Sequence, residues 1–154
     1  MKYLRRILIG LGMLFLGLIV LIGSLSWRSS QFLEANQDFA EQFARAFAST
    51  WRTEDVHELV TADFIETAAT PNGQAFLSQL RTLGPLKSAS DFQMGNYYSG
   101  TGGTTGEIKF KAIFSNAKAV VTVTVINKDG KTLVQAFNVQ ASDGASAQAT
   151  EHEA

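Results

Sequence analysis

Glu107-Ile108-Lys109-Phe110-Lys111-Ala112-Ile113-Phe114 and Ala119-Val120-Val121-Thr122-Val123-Thr124-Val125-Ile126 decide the fold. Along the first run Ile108, Phe110, Ala112 and Phe114 alternate with Glu107, Lys109 and Lys111; along the second Val121, Val123 and Val125 alternate with Thr122 and Thr124. A period of two places one set on a buried face and the other toward water, which is the signature of half-buried strands. Leu133, Gln135, Phe137 and Val139 continue the inner face on a third strand, with Gln135 as its single polar member. Asn127-Lys128-Asp129-Gly130 reads as a hairpin turn with Asp-Gly at its end, and Ser115-Asn116-Ala117 joins the two quoted runs. A less regular strand is expected at about 90–99. It is followed by Gly100-Thr101-Gly102-Gly103-Thr104-Thr105-Gly106, read as a flexible hairpin loop because it lacks a P-loop lysine and leads into a strand. The prediction is a four-stranded antiparallel meander.

Upstream the period changes to 3.6. Phe32, Phe39, Phe43 and Phe47 form a ridge flanked by Ala40, Ala44 and Ala48, with Glu34, Asp38, Glu41 and Arg45 on the other side, predicting a helix from about 31 to 51 with Ser29-Ser30 as its cap. Thr53-Glu54-Asp55 starts a short helix with Val56, Leu59 and Val60 on its buried side, the acids lying near the positive end of its dipole. Thr70-Pro71 starts a third, carrying Phe76, Leu77, Leu80 and Leu83 and stopped by Gly84-Pro85. Three helices before four strands make an α+β domain, assigned to residues 29–141.

The N-terminus carries a different message. Residues 7–27 hold no charge, while Lys2, Arg5 and Arg6 stand just before them. At about 1.5 Å per helical residue, 20 residues cross the roughly 30 Å hydrocarbon core. Residues 1–28 are therefore read as a basic cytoplasmic start and a single transmembrane helix that engages the lipid bilayer through residues 7–27. The positive-inside rule puts the rest of the chain outside the inner membrane, in the periplasm or cell exterior. A cleaved secretory signal competes with that reading, since Ser24-Leu25-Ser26 offers small residues at suitable spacing. The chain contains no cysteine, so neither a lipid-bearing cysteine nor a disulfide is available to it. Without Lys2, Arg5 and Arg6, the remaining 10 Lys and Arg face 14 Asp and Glu, a net charge of −4. That balance argues against a nucleic-acid partner. Residues 142–154, apolar only in alanine, read as a disordered polar tail.

The order of these elements carries a resemblance. A long first helix, a short second one leading to Ala62-Asp63-Phe64, a third ending Leu80-Arg81-Thr82-Leu83-Gly84-Pro85-Leu86, and the meander together resemble the NTF2-like, cystatin-like α+β cone superfamily. More narrowly, the chain is similar to its small membrane-anchored or exported bacterial members. The resemblance implies a curved sheet wrapped around the first helix, often leaving a pocket that relatives use for ligands, catalysis, dimerisation or envelope assembly.

Three functional readings follow. The enzymes of that superfamily, such as ketosteroid isomerase and the polyketide cyclases, place Asp, His and Tyr inside the cone. The inner faces set by the strand alternation carry neither carboxylate nor histidine, so the chain is expected not to be an enzyme. His57, between Glu54 and Glu58, reads as a solvated group able to pair with Asp63. No metal and no cofactor are expected, because three converging ligands are not in sight. An interaction or scaffold module, with a homodimer or an envelope-protein partner, would use Ile113, Val120, Thr122, Thr124, Ile126, Val134 and Ala136 on the outer sheet face. A small apolar-ligand domain would instead use a cone pocket with Asn96, Tyr97, Tyr98 and Gln135 at its mouth. The interaction module is the leading expectation and the ligand pocket its alternative.

Overall fold

The computed structural model describes residues 27–142. Apart from Trp27, the expected transmembrane helix lies outside the described residues, as does most of the expected polar tail; among those described, no helix is long and apolar enough to cross a membrane.

Helix α1 already runs at the first described residue and continues through residues 27–50, so Ser29 and Ser30 lie within it rather than capping it. It ends at Trp51, whose φ of 53° takes the left-handed conformation usual after a helix. The Trp51 amide still donates to the Phe47 carbonyl at 2.7 Å, and its indole N–H reaches the Gly84 carbonyl at 3.3 Å. The helix end is thereby pinned to the far end of the domain. The expected ridge is present: Phe32, Phe43 and Phe47 are buried with Ala40, Ala44 and Ala48, while Phe39 packs at the margin of the same core.

Among the described residues, four helical segments, not three, precede the sheet. Thr53–Leu59 is a 3₁₀ helix with no side-chain cap, its Val56 buried. A separate helix α2 follows at Ala62–Ala69, capped by Thr61 Oγ1, which accepts from the Phe64 amide at 3.3 Å. Helix α3 covers Pro71–Arg81; Pro71 occupies its first position, and Thr70 Oγ1 accepts from the Gly73 amide at 3.1 Å. The two meet at a tight corner. A Cβ on Gly73 would collide with the carbonyl oxygens of Thr67 and Ala68, so only glycine lets α3 start this close to the end of α2.

The sheet is the expected meander. Strands β1 (Leu86–Gly100), β2 (Gly103–Phe114), β3 (Lys118–Lys128) and β4 (Lys131–Ala141) lie in the order 1-2-3-4, all antiparallel. Asp129 and Gly130, with φ of 51° and 74°, form the two-residue turn that Asp-Gly favours. The glycine-rich segment differs from expectation: Gly100 pairs with Gly103, leaving Thr101-Gly102 as the turn, and Gly103 through Gly106 belong to β2. Gly106 is inside the core because α1 needs the space. A Cβ there would overlap the Phe32 ring and the Met94 methyl. Strand β1 is longer than expected and interrupted by three irregularities, at one of which Asp91 takes a φ of 55°. Such interruptions bend a strand and blunt an exposed edge.

Ile108, Phe110, Ala112, Phe114, Val121, Val123 and Val125 face the core as their period predicted, none more than 2% exposed. On β4 the expected faces are corrected. Val134 pairs with Val125 and Ala136 with Thr124, so Gln135 is an extra residue in a β-bulge. A bulge shifts the alternation by one: Val134, expected outside, is fully buried, whereas Leu133, expected inside, stands opposite Ile126 on the outer side. Phe137 and Val139, beyond the bulge, resume the inner face opposite Val123 and Val121.

The segment after the 3₁₀ helix secures this edge strand. Val60 bridges Val134, and the Thr61 amide donates to the Val134 carbonyl at 3.0 Å. At the opposite end, Asn116 closes the β2–β3 connection onto the exit of α3: its amide donates to the Leu83 carbonyl and its side chain to the Thr82 carbonyl, both at 3.0 Å.

Candidate functional site

A pocket of about 210 Å³ opens between α2, α3 and β4. Phe47 and Phe137 form part of its wall, their ring centroids 5.4 Å apart and nearly perpendicular, and Phe64 meets Phe47 edge-on at 6.0 Å. Phe64 and Ala68 reach it from α2, Phe76 and Leu77 from α3, and Gln135, Ala136 and Phe137 from β4. Two local devices create the opening. The Gly73 corner sets how closely α3 follows α2, and Gln74 reinforces it by donating from Nε2 to the Ala68 carbonyl at 2.9 Å. The bulge delivers three consecutive β4 residues to one opening, which strict alternation would not do.

The chemistry on offer is apolar contact with one directed amide. Gln135 is exposed and makes no side-chain hydrogen bond among the described residues, so its carbonyl and NH₂ are both available to a guest. The lining includes Thr67 as its only other polar side chain and contains no acid, base or thiol. Such a site can hold a molecule and orient it.

The other expected pocket residues do not converge on Gln135. Asn96, Tyr97 and Tyr98 lie on β1, at the opposite edge of the sheet from β4. Tyr97 is half-buried against Phe32, centroids 5.6 Å apart in an edge contact, while Tyr98 is 70% exposed. Asn96 is exposed, and its backbone amide donates to the Glu107 carboxylate at 3.2 Å. Of the four residues singled out by sequence, one lines the pocket. Phe64, Ala68 and Gly73 were missed there, and Phe64 alone carried a signal, as an aromatic three residues after a capping Thr.

The outer sheet face is less apolar than the interface expectation required. Across neighbouring strands, Thr124 sits between Glu107 and Ala136, Thr122 between Lys109 and Asn138, and Val120 between Lys111 and Gln140. Ile113, 43% exposed, stands opposite Lys118. Only Ile126 and Leu133 make an apolar cross-strand pair, and Val134 has left this face for the core. Lys109 and Lys111, two positions apart on β2, break the patch into separate pieces. Lys111 is further engaged by Asp91, Nζ to Oδ2 at 2.7 Å, and this hydrogen bond and charge hold its amine above the ordinary lysine value of 10.5.

His57 lies on the exposed side of the 3₁₀ helix. Its Nδ1 is 2.8 Å from the Glu54 carbonyl, and its closest acid is Glu58, at 3.9 Å from Nε2, rather than Asp63. A wider hollow of about 500 Å³ beside it is bordered by Thr53, Glu54, His57, Ile65, Ala69 and Gln74, almost all exposed, so water rather than a guest meets those groups. No set of three or more His, Cys, Asp or Glu that could hold a metal ion occurs among the described residues.

No family model, curated protein or solved structure matches the chain.

Proposed function

We propose that the chain is an NTF2-like binding domain held at the outer surface of a cytoplasmic membrane by residues 7–27, and that it takes a small apolar molecule into the α2–α3–β4 pocket without transforming it. The observation that carries this reading is the pocket itself: an aromatic cavity with a single amide at its wall and no titratable side chain. Apolar cavities of about 150 Å³ already admit benzene, so about 210 Å³ suits a substituted ring or a short branched chain. The long helix laid across a bulged meander supports the NTF2-like reading, and the charge-free stretch after Lys2, Arg5 and Arg6 supports the tether. The pocket is favoured over the sheet face as the recognition element because lysines divide that face.

Toluene and phenol, titrated into the full chain in lipid nanodiscs, test this. Phenol should bind more tightly by about fivefold, the worth of one hydrogen bond of roughly 1 kcal/mol to Gln135. Gln135→Leu should erase the difference while leaving toluene bound. Equal binding of both by the parent chain would remove Gln135 from the site, and binding of neither would remove the pocket.

A further inference from the structure

The end of the domain at which α1 begins gathers features that the pocket does not use. Phe32, the first core residue of α1, packs on Tyr97 and against Gly106; Trp51, past its last turn, packs on Phe114. The helix therefore runs along β2 from the hairpin-tip end of the sheet toward its far end. From Phe32 back to Trp27 is five residues, about 7.5 Å of helix. From Gly106 to the turn at Gly103 is three residues, about 10 Å of strand. The start of α1, the β1–β2 turn and the β3–β4 turn thus finish at a similar level.

The composition of that end is distinctive. Trp27 and Tyr98, at 66% and 70%, are the most exposed large hydrophobic side chains among the described residues. The Tyr98 ring lies beside Gly100, directed along the strand toward the turn. Arg28, Lys128 and Lys131 belong to the same end; Asp129 shares the β3–β4 turn with the two lysines and Glu107 lies one residue beyond Gly106, in a portion of the chain whose net charge is −4. Exposed Trp and Tyr together with basic side chains are what a bilayer's headgroup layer accepts.

We infer that this end of the domain docks on an anionic lipid surface, with Trp27 and Tyr98 in the headgroup layer and Arg28, Lys128 and Lys131 against lipid phosphates. The inference rests on the tether proposed above, because the charge-free stretch stops at Trp27, where this end begins. The consequence is an oriented domain. The hairpin tips face the membrane, and the α3 exit and the β2–β3 connection face away from it.

The absence of cysteine makes the test direct. Gly102→Cys, at a turn position where a side chain meets open space, and Gln79→Cys, exposed on α3 near the far end, each take one fluorophore on the full chain in vesicles containing nitroxide-labelled lipid. In vesicles of phosphatidylglycerol and phosphatidylcholine, the label at 102 should be quenched and the label at 79 should not. Pure phosphatidylcholine should reduce the effect. Lys128→Glu with Lys131→Glu should lower the docked-to-free ratio at least about fivefold per lysine. Equal quenching at both positions in a chain that floats with the vesicles overturns the docking and leaves the tether standing, as does quenching at 102 that ignores both lipid charge and the double substitution. A chain that does not float with the vesicles overturns both.

Discussion

Deleting Gln135 should be far less damaging than deleting a residue from the centre of β3. Gln135 is the surplus residue of a bulge, so its removal joins Val134 directly to Ala136. Val134 keeps its place opposite Val125, Ala136 opposite Thr124 and Phe137 opposite Val123. No buried side chain changes face, and the Val60 bridge to Val134 is retained. The expected change in unfolding free energy is within about 1 kcal/mol, the range of surface changes that spare the core. Deleting Thr122 forces half of β3 to slip by one residue. Either Ala119 and Val121 or Val123 and Val125 must then turn outward, and the three valines are fully buried. Even the cheaper slip gives up one buried valine, about 1.5–3 kcal/mol, before the lost alanine and ladder hydrogen bonds are counted. Urea unfolding of the full chain in nanodiscs, followed by near-ultraviolet circular dichroism of the aromatic core, compares the two. If deletion of Gln135 lowers the midpoint as far as deletion of Thr122, the bulge reading is wrong.

Gly73→Ala places a methyl against two backbone carbonyl oxygens that cannot swing aside, so it should cost about 1–3 kcal/mol in the same unfolding assay and weaken phenol binding by opening the α2–α3 corner. Gly106→Ala meets the Phe32 ring as well as the more flexible Met94; a loss of about 1–3 kcal/mol is expected, with a changed near-ultraviolet signal from the Phe32–Tyr97 pair. An unchanged spectrum and midpoint would show that α1 does not lie this close to β2. Asp91→Asn should bring the Lys111 amine back down toward 10.5, as read by side-chain NMR. Because the folded-state value is raised, the ion pair's contribution is complete below 10.5 and fades as pH climbs through that raised value. The variant should therefore be less stable than the parent near neutrality, lose some of its alkaline sensitivity, and converge with it once the pH has passed that raised value.

Much of this architecture was legible because single side chains announce it. The phenylalanine ridge of α1, the strict Val–Thr alternation of β3 and the Asp-Gly turn each follow from local period or local backbone preference. The bulge was not legible in the same way. Leu133 and Val134 are both apolar, so alternation fits either register, and what selects Val134 is distant: Val60 and the Thr61 amide meet it across the sheet edge. Helix α2 was hidden because it buries no residue fully and offers only Phe64 and Ala68 as partly covered apolar positions. The glycine-rich segment misled for the opposite reason. Gly106 reads as loop chemistry, yet it is a strand residue kept small by Phe32. At the candidate site, Gln135 was visible as a polar interruption of an apolar strand. Its partners Phe64, Ala68 and Gly73 come together only through the α2–α3 corner. The tyrosines of β1 looked equivalent to Gln135 in sequence and are separated from it by the width of the sheet.

The central claim is that the opening between α2, α3 and β4 receives a small apolar guest. Methyl and amide NMR of the full chain in nanodiscs, recorded while phenol is added, tests it most directly. The account predicts saturable shifts of the Ala68, Leu77 and Ala136 methyls and of the Gln135 side-chain amide, with Ala89 on β1 unmoved. Shifts that fail to saturate, or that appear on β1 as strongly as around Gln135, would contradict it.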